Sequence, residues 1–123
     1  MNIVTQQLTE EMIARRNEVA MLVASLTGVP VDDIMSRCRR QDIADARKLV
    51  MWTLAVMLGY TRNNVGILME HNHATVTYAV RWVNEGYGGK EVERLRQEIE
   101  KKLKTIPTVA KNATVNEKGG KHE

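Results

Sequence analysis

Val65-Gly66-Ile67-Leu68-Met69-Glu70-His71-Asn72-His73-Ala74-Thr75-Val76-Thr77-Tyr78-Ala79-Val80-Arg81 reads as a short helix, a tight turn and a second helix with a polar tip. After Asn72 the apolar residues fall at Val76, Ala79, Val80 and Val83, the three- and four-residue spacing of one core-facing helical stripe. The opposite side carries His73, Thr77 and Arg81, flanked by Ala74 and Tyr78, with no acid before Glu85. Hydrogen-bonding groups and positive charge without a carboxylate suit a polyanion. Asn72 is a favoured N-cap type, so the open N–H groups of the second helix are expected near residues 73–75, where a phosphate is also welcome. The outline is that of a helix-turn-helix, whose second helix enters the major groove of DNA. A capped amphipathic helix in an ordinary bundle shows the same local pattern, so the remainder of the chain has to decide.

The chain has 123 residues, enough for one domain and a modest core. Apolar residues make up 43%, yet Phe is absent and aromatics amount to only 4%, so the core must come from Leu, Val, Ile, Met and Ala. That palette predicts an all-α fold, a compact helical bundle, and no alternating strand pattern competes with it. The one cysteine, Cys38, excludes an internal disulfide and has no sign of a nucleophile's setting. No stretch has the length of a membrane span or the layout of a signal peptide, which predicts a cytoplasmic protein without membrane association and makes the Asn112-Ala113-Thr114 sequon incidental. Net charge is +3, and residues 37–48 hold Arg37, Arg39, Arg40, Arg47 and Lys48 against Asp42 and Asp45, an excess equal to that of the whole chain. Such a cluster is what phosphate contacts require, although charge runs are usually solvated loops.

Thr9 is placed to cap a first helix running to about Leu26, with Glu10 and Glu11 in its first turn and Leu8 set to staple against Ile13. Gly28 and Pro30 stop that helix. Asp32 and Asp33 open a short helix through Ser36, and residues 37–41, lacking apolar periodicity, are expected as a loop. A helix then runs from Asp42 or Ile43 to Leu58; between Leu49 and Leu58 only Thr53 is polar, which predicts a central, enclosed position with Trp52 in the core. Gly59 closes it and Thr61 caps the next. Gly86, Gly88 and Gly89 mark a boundary, giving residues 1–86 as the folded domain, 87–106 as a charged C-terminal helix and 107–123 as a polar, disordered tail. Val92, Leu95, Ile99, Leu103 and Ile106 form a narrow line on that extra helix, with Glu98 near Lys102 and Glu100 near Lys104. The line packs on the domain, the preferred reading, or joins a second copy into a homo-oligomer.

With these pieces in order, residues 19–83 resemble the C-terminal DNA-binding domain (domain IV) of the bacterial replication initiator DnaA, within the Trp-repressor-like helix-turn-helix superfamily. Three blocks carry the likeness: residues 23–36, the basic loop and helix start at 37–49, and Val65-Gly66 through His73-Ala74-Thr75-Val76, which parallels the signature Ile-Gly…Phe-Gly-Arg-Asp-His-Ser/Thr-Thr-Val. The resemblance implies that Arg39 enters the minor groove, that Arg47 acts near the start of the long helix, that His73 reads a base edge and that Thr75 supplies the second hydroxyl of the signature. Arg37 and Arg40 lie in the same loop as phosphate contacts. This chain departs from the signature in four places: Asn72 stands for Asp, Ala74 for the first Ser or Thr, Met69 for Phe, and the turn is one residue shorter. Arg62-Asn63 also replaces an apolar-Pro pair. Asn pairs with adenine where Asp accepts from cytosine, and Ala offers only a methyl contact, so the preferred site need not be the initiator's own.

The expected function is sequence-specific binding of double-stranded DNA, in replication initiation or its regulation or in transcription. Arg37, Arg40, Arg47, Lys48, Arg62 and Arg81 are expected on phosphates and Arg39 in the minor groove, with Asn72, His73, Ala74 and Tyr78 at the bases and Thr75 among the DNA-binding residues. The alternative is a protein–protein interaction module that kept the fold and lost specific DNA binding. No Gly-x-x-x-x-Gly-Lys-Ser/Thr loop is present, so no ATP site is expected. Nor is an enzyme, a cofactor or a metal: residues two apart on a helix, as in His71-x-His73, point in different directions.

Overall fold

A computed structural model describes residues 8–104, and these are all-helical in fold, with no strand among them. Helix α1 spans Glu10–Thr27, capped by the Thr9 hydroxyl, which accepts from the Met12 N–H. It ends at Gly28, whose φ of 83° is the left-handed conformation that lets its N–H close on the Ala24 carbonyl. Leu8 and Met12 pack against the core, whereas Ile13, the partner expected for Leu8, is exposed. The short α2, Val31–Ile34, sets Ile34 into the core. After a loop at residues 36–40, α3 covers Gln41–Trp52, beginning a residue or two earlier than its apolar pattern predicts.

From α3 the chain runs on through a π-helical turn, Thr53–Met57, in which the Leu58 N–H reaches back to the Thr53 carbonyl. Fully buried Thr53 turns its hydroxyl onto the Leu49 carbonyl at 2.7 Å, a bond that competes with the regular ladder where the helix widens. The extra residue in that turn shifts the face that follows. Residues 49–54 are enclosed as expected, whereas Val56, within the widened turn, is exposed. Trp52 is buried, and its indole N–H is satisfied by Asn84 Oδ1 at 2.8 Å.

Helices α4, Arg62–Met69, and α5, His73–Asn84, complete the helix-turn-helix, and α6 spans Gly89–Lys104. The principal packing is of α3 on α5 and of α4 on α5, with α1 across α3. Val92, Leu95, Ile99 and Leu103 of α6 join the same core as Val19, Val23, Leu49 and Val83. The apolar line considered above as a dimer face is thus covered within one chain. Along α6, Arg94 pairs with Glu91, part-buried Arg96 with Glu93 and Glu100, and Lys101 with Glu98. Ile106 and the 107–123 tail lie outside the described residues. No described helix is long and apolar enough to cross a membrane.

Candidate nucleic-acid interface

The turn between α4 and α5 is built on one close approach. A Cβ at Gly66 would lie 2.5 Å from the His71 carbonyl oxygen, so the returning chain presses directly on the α4 backbone, and the His71 N–H bonds the Gly66 carbonyl at 2.9 Å. To make that return Glu70 takes φ 60°, ψ 43°, a left-handed conformation that strains a residue with a side chain. Asn72 then caps α5: its Oδ1 accepts from the Thr75 N–H at 2.9 Å and from the Thr75 hydroxyl at 3.2 Å. Helix α5 buries Val76, Ala79, Val80 and Val83, as its periodicity predicts, and also Trp82. His73, Ala74, Thr75 and Tyr78 stand exposed on its other side.

Two arginines from elsewhere in the chain hold the end of α4. Arg37 Nη2 donates to the Glu70 carbonyl at 2.6 Å, and Arg16 Nη1 to the Leu68 carbonyl at 2.8 Å. A helix C-terminus offers unpaired carbonyls and the negative end of its dipole, which is where cations bind best. The Arg37 bond draws the basic loop to the turn. Between them lies an open groove of about 490 Å³, walled by Arg37, by Asn63 and Ile67 of α4, by Glu70, His71 and Asn72, and by His73 and Thr75 of α5.

The structure sorts the expected cations. Arg39 and Arg62 are exposed, and among the described residues neither side chain has an ion pair or hydrogen bond, so both reach outward. Arg40 is exposed but clasped by Asp42, with Nε to Oδ1 at 2.8 Å and Nη2 to Oδ2 at 3.2 Å; that bond holds the Asp42 carboxyl below its usual range. Arg81 meets Glu85 at 3.5 Å, and Glu85 is lowered by a bond from the Tyr87 hydroxyl and by Arg81.

Arg47 corrects the expectation most. It is buried, with Nε on the Ile34 carbonyl at 2.8 Å and Nη2 on the Asp33 carbonyl at 3.2 Å, so its guanidinium ties α2 to α3 instead of projecting toward a phosphate. The short α2 ends with carbonyls that need donors, and the fixed fork of an arginine supplies them. Lys48 is half-buried, its Nζ 4.9 Å from the Trp82 ring centroid, and burial pushes its ammonium down from its usual value. Asn72 keeps its amide oxygen in the cap, so a bidentate grip on adenine competes with the helix start.

Asn63, Ile67 and His71 escaped the sequence reading as groove residues. Asn63, Gly66, Ile67 and Glu70 follow the i, i+3, i+4, i+7 spacing of one face of α4, and that periodicity was the available signal. Burial, then Arg37 and Arg47, lower the His71 imidazole from its usual range, against Glu70. Among the described residues no three His, Cys, Asp or Glu side chains form a metal-binding group.

Against known protein families, residues 17–83 match the model described as the bacterial dnaA protein helix-turn-helix, a span from within α1 to the end of the buried stripe of α5. No curated protein sequence matches the chain.

Proposed function

The chain belongs to the bacterial DnaA helix-turn-helix family, and on that premise we propose that it binds double-stranded DNA sequence-specifically, as a module acting in replication initiation, its regulation or transcription. The observation that carries this reading is the bond from Arg37 to the Glu70 carbonyl, because it sets the basic loop beside the exposed start of α5. His73 and Ala74, with the outer side of Tyr78, face a major groove. Arg39 reaches the adjoining minor groove. Arg37 and Arg62 take phosphates, which position the module without reading sequence. Arg40 and Arg81 join them only by exchanging a carboxylate for a phosphate. Arg47 and Lys48 act from behind, Arg47 tying α2 to α3 and Lys48 lying against Trp82 of α5.

Selection from a randomised duplex pool, followed by binding of the selected site and of random DNA, tests the proposal. A good base contact is worth about 1–3 kcal/mol of discrimination. His73→Ala is therefore expected to narrow the gap between selected and random duplex by roughly tenfold or more, while Arg62→Ala weakens both alike. Equal losses on both duplexes from His73→Ala would refute its reading role.

A second reading draws on Ile67 and Tyr78, which are 45% and 55% exposed on or beside this face. Large apolar groups there suit a protein partner as well as thymine methyls. A mobility shift with random duplex at low salt separates the two, since a DNA binder shows nonspecific electrostatic affinity under those conditions.

A further inference from the structure

His71 is carried by the tight turn to a half-buried place between the basic loop and the long helix. On its outer side is the groove with Arg37, Glu70 and His73; on its inner side is a small cavity bounded by Arg47 and Lys48 of α3 and by Thr75 and Tyr78 of α5. The charges facing it are thus Arg37, Arg47 and Lys48 against Glu70, with His73 and Tyr78 as the other titratable neighbours. Burial and the two guanidiniums disfavour the imidazolium, so in the free protein the ring is held neutral into a lower pH range than usual.

Resting on the DNA-binding reading above, we propose that this groove seats one backbone phosphate of the duplex between Arg37 and His71, and that His71 takes up a proton as the phosphate arrives. Three features of the site favour this. The Arg37 guanidinium already stands at the groove with one N–H on the Glu70 carbonyl, which orients its remaining donors. The first turn of α5 leaves the N–H groups of His73 and Ala74 without intrahelical acceptors, and the Asn72 amide oxygen is turned to Thr75, so that Glu70 is the carboxylate a phosphate meets in the groove wall. A phosphodiester brings a full negative charge beside Arg37, cancelling the repulsion that keeps His71 neutral, and the imidazolium then offers a donor on each ring nitrogen where the neutral ring offers one. The proton taken up by the imidazole comes from solvent as the complex forms.

The sign follows from linkage: when the complex holds more protons than the free partners, binding tightens as pH falls. Binding of a mixed-sequence duplex, followed by fluorescence anisotropy at constant salt, is measured between about pH 8 and pH 6 for the full chain and for His71→Gln and His73→Gln. The expected result is a several-fold tightening on acidification in the wild type that persists in His73→Gln and is lost in His71→Gln. An unchanged pH response in His71→Gln overturns the proposal. Calorimetry of the wild type and His73→Gln in two buffers of different ionisation enthalpy gives a readout independent of that variant's folding. Proton uptake on binding supports the phosphate seat, and uptake of zero overturns it. Failure of the wild type to bind any duplex at any pH is a different outcome, which removes the DNA-binding reading itself and this inference with it.

Discussion

At Gly66 a single methyl group decides whether the turn closes. Because the Cβ of an alanine would sit 2.5 Å from the backbone oxygen of His71, relief requires moving the turn itself and not a flexible side chain. Gly66→Ala is expected to destabilise the fold by about 1–3 kcal/mol, the cost of overpacking, read as a lower urea midpoint at unchanged slope. Four residues on, Glu70 combines a strained left-handed backbone with the one carboxylate in the groove wall. Glu70→Gln keeps the backbone and removes the charge. On the phosphate-binding reading it is expected to strengthen duplex binding at low salt, with the gain shrinking as salt screens it; unaltered affinity at low salt would place the groove away from the phosphates. The left-handed φ of Glu70 is one that glycine adopts without steric cost.

Three helices begin, and one ends, where side-chain chemistry says they should: Thr9, Thr61 and Asn72 each bond the N–H three residues on, and Gly28 ends α1 in a left-handed turn. These local devices were legible because a cap needs only its own few residues. For α5 the device is testable. Asn72→Ala removes the acceptor for the Thr75 N–H and is expected to cost about 1 kcal/mol, whereas Asn72→Asp keeps an oxygen in place and holds stability, both read by thermal melts. Retention of full stability in Asn72→Ala would show that α5 is held by its packing on α3 alone. What could not be read locally was how elements meet. A positive charge at position 47 looks the same in sequence whether it faces solvent or the carbonyls of α2, and the continuous apolar run at residues 49–58 has no polar phase to reveal the π turn. The resemblance gave the loop and the reading helix their expected roles, but it did not reveal that Lys48 lies on Trp82 or that Arg40 is held by Asp42.

The composition break at residues 86–89 suggests an appendage, yet the molecule packs across it. Ile99 is fully buried in a cluster that includes Val23 of α1 and Val83 of α5, and the Arg96 guanidinium lies 6.0 Å from the ring centroid of Trp52, whose indole N–H reaches Asn84 at the end of α5. The family match ends at residue 83, so α6 adds to the core Val92, Leu95, Ile99 and Leu103, which the matched span does not include. If α6 were a separate element, a cavity in it would loosen α6 alone. If it completes the core, the same cavity lowers the stability of everything the core supports, including the cap and turn that present His73. Ile99→Ala is expected to cost about 2–5 kcal/mol, the range for emptying a buried aliphatic site, in one transition shared by tryptophan fluorescence and far-ultraviolet circular dichroism. Amide exchange in α5 is expected to quicken in step with that loss. Below the transition the variant is expected to bind duplex as the wild type does, because α6 supplies no residue to the groove. Two separated transitions, with α5 exchange unchanged, would show that the reading helix stands without α6.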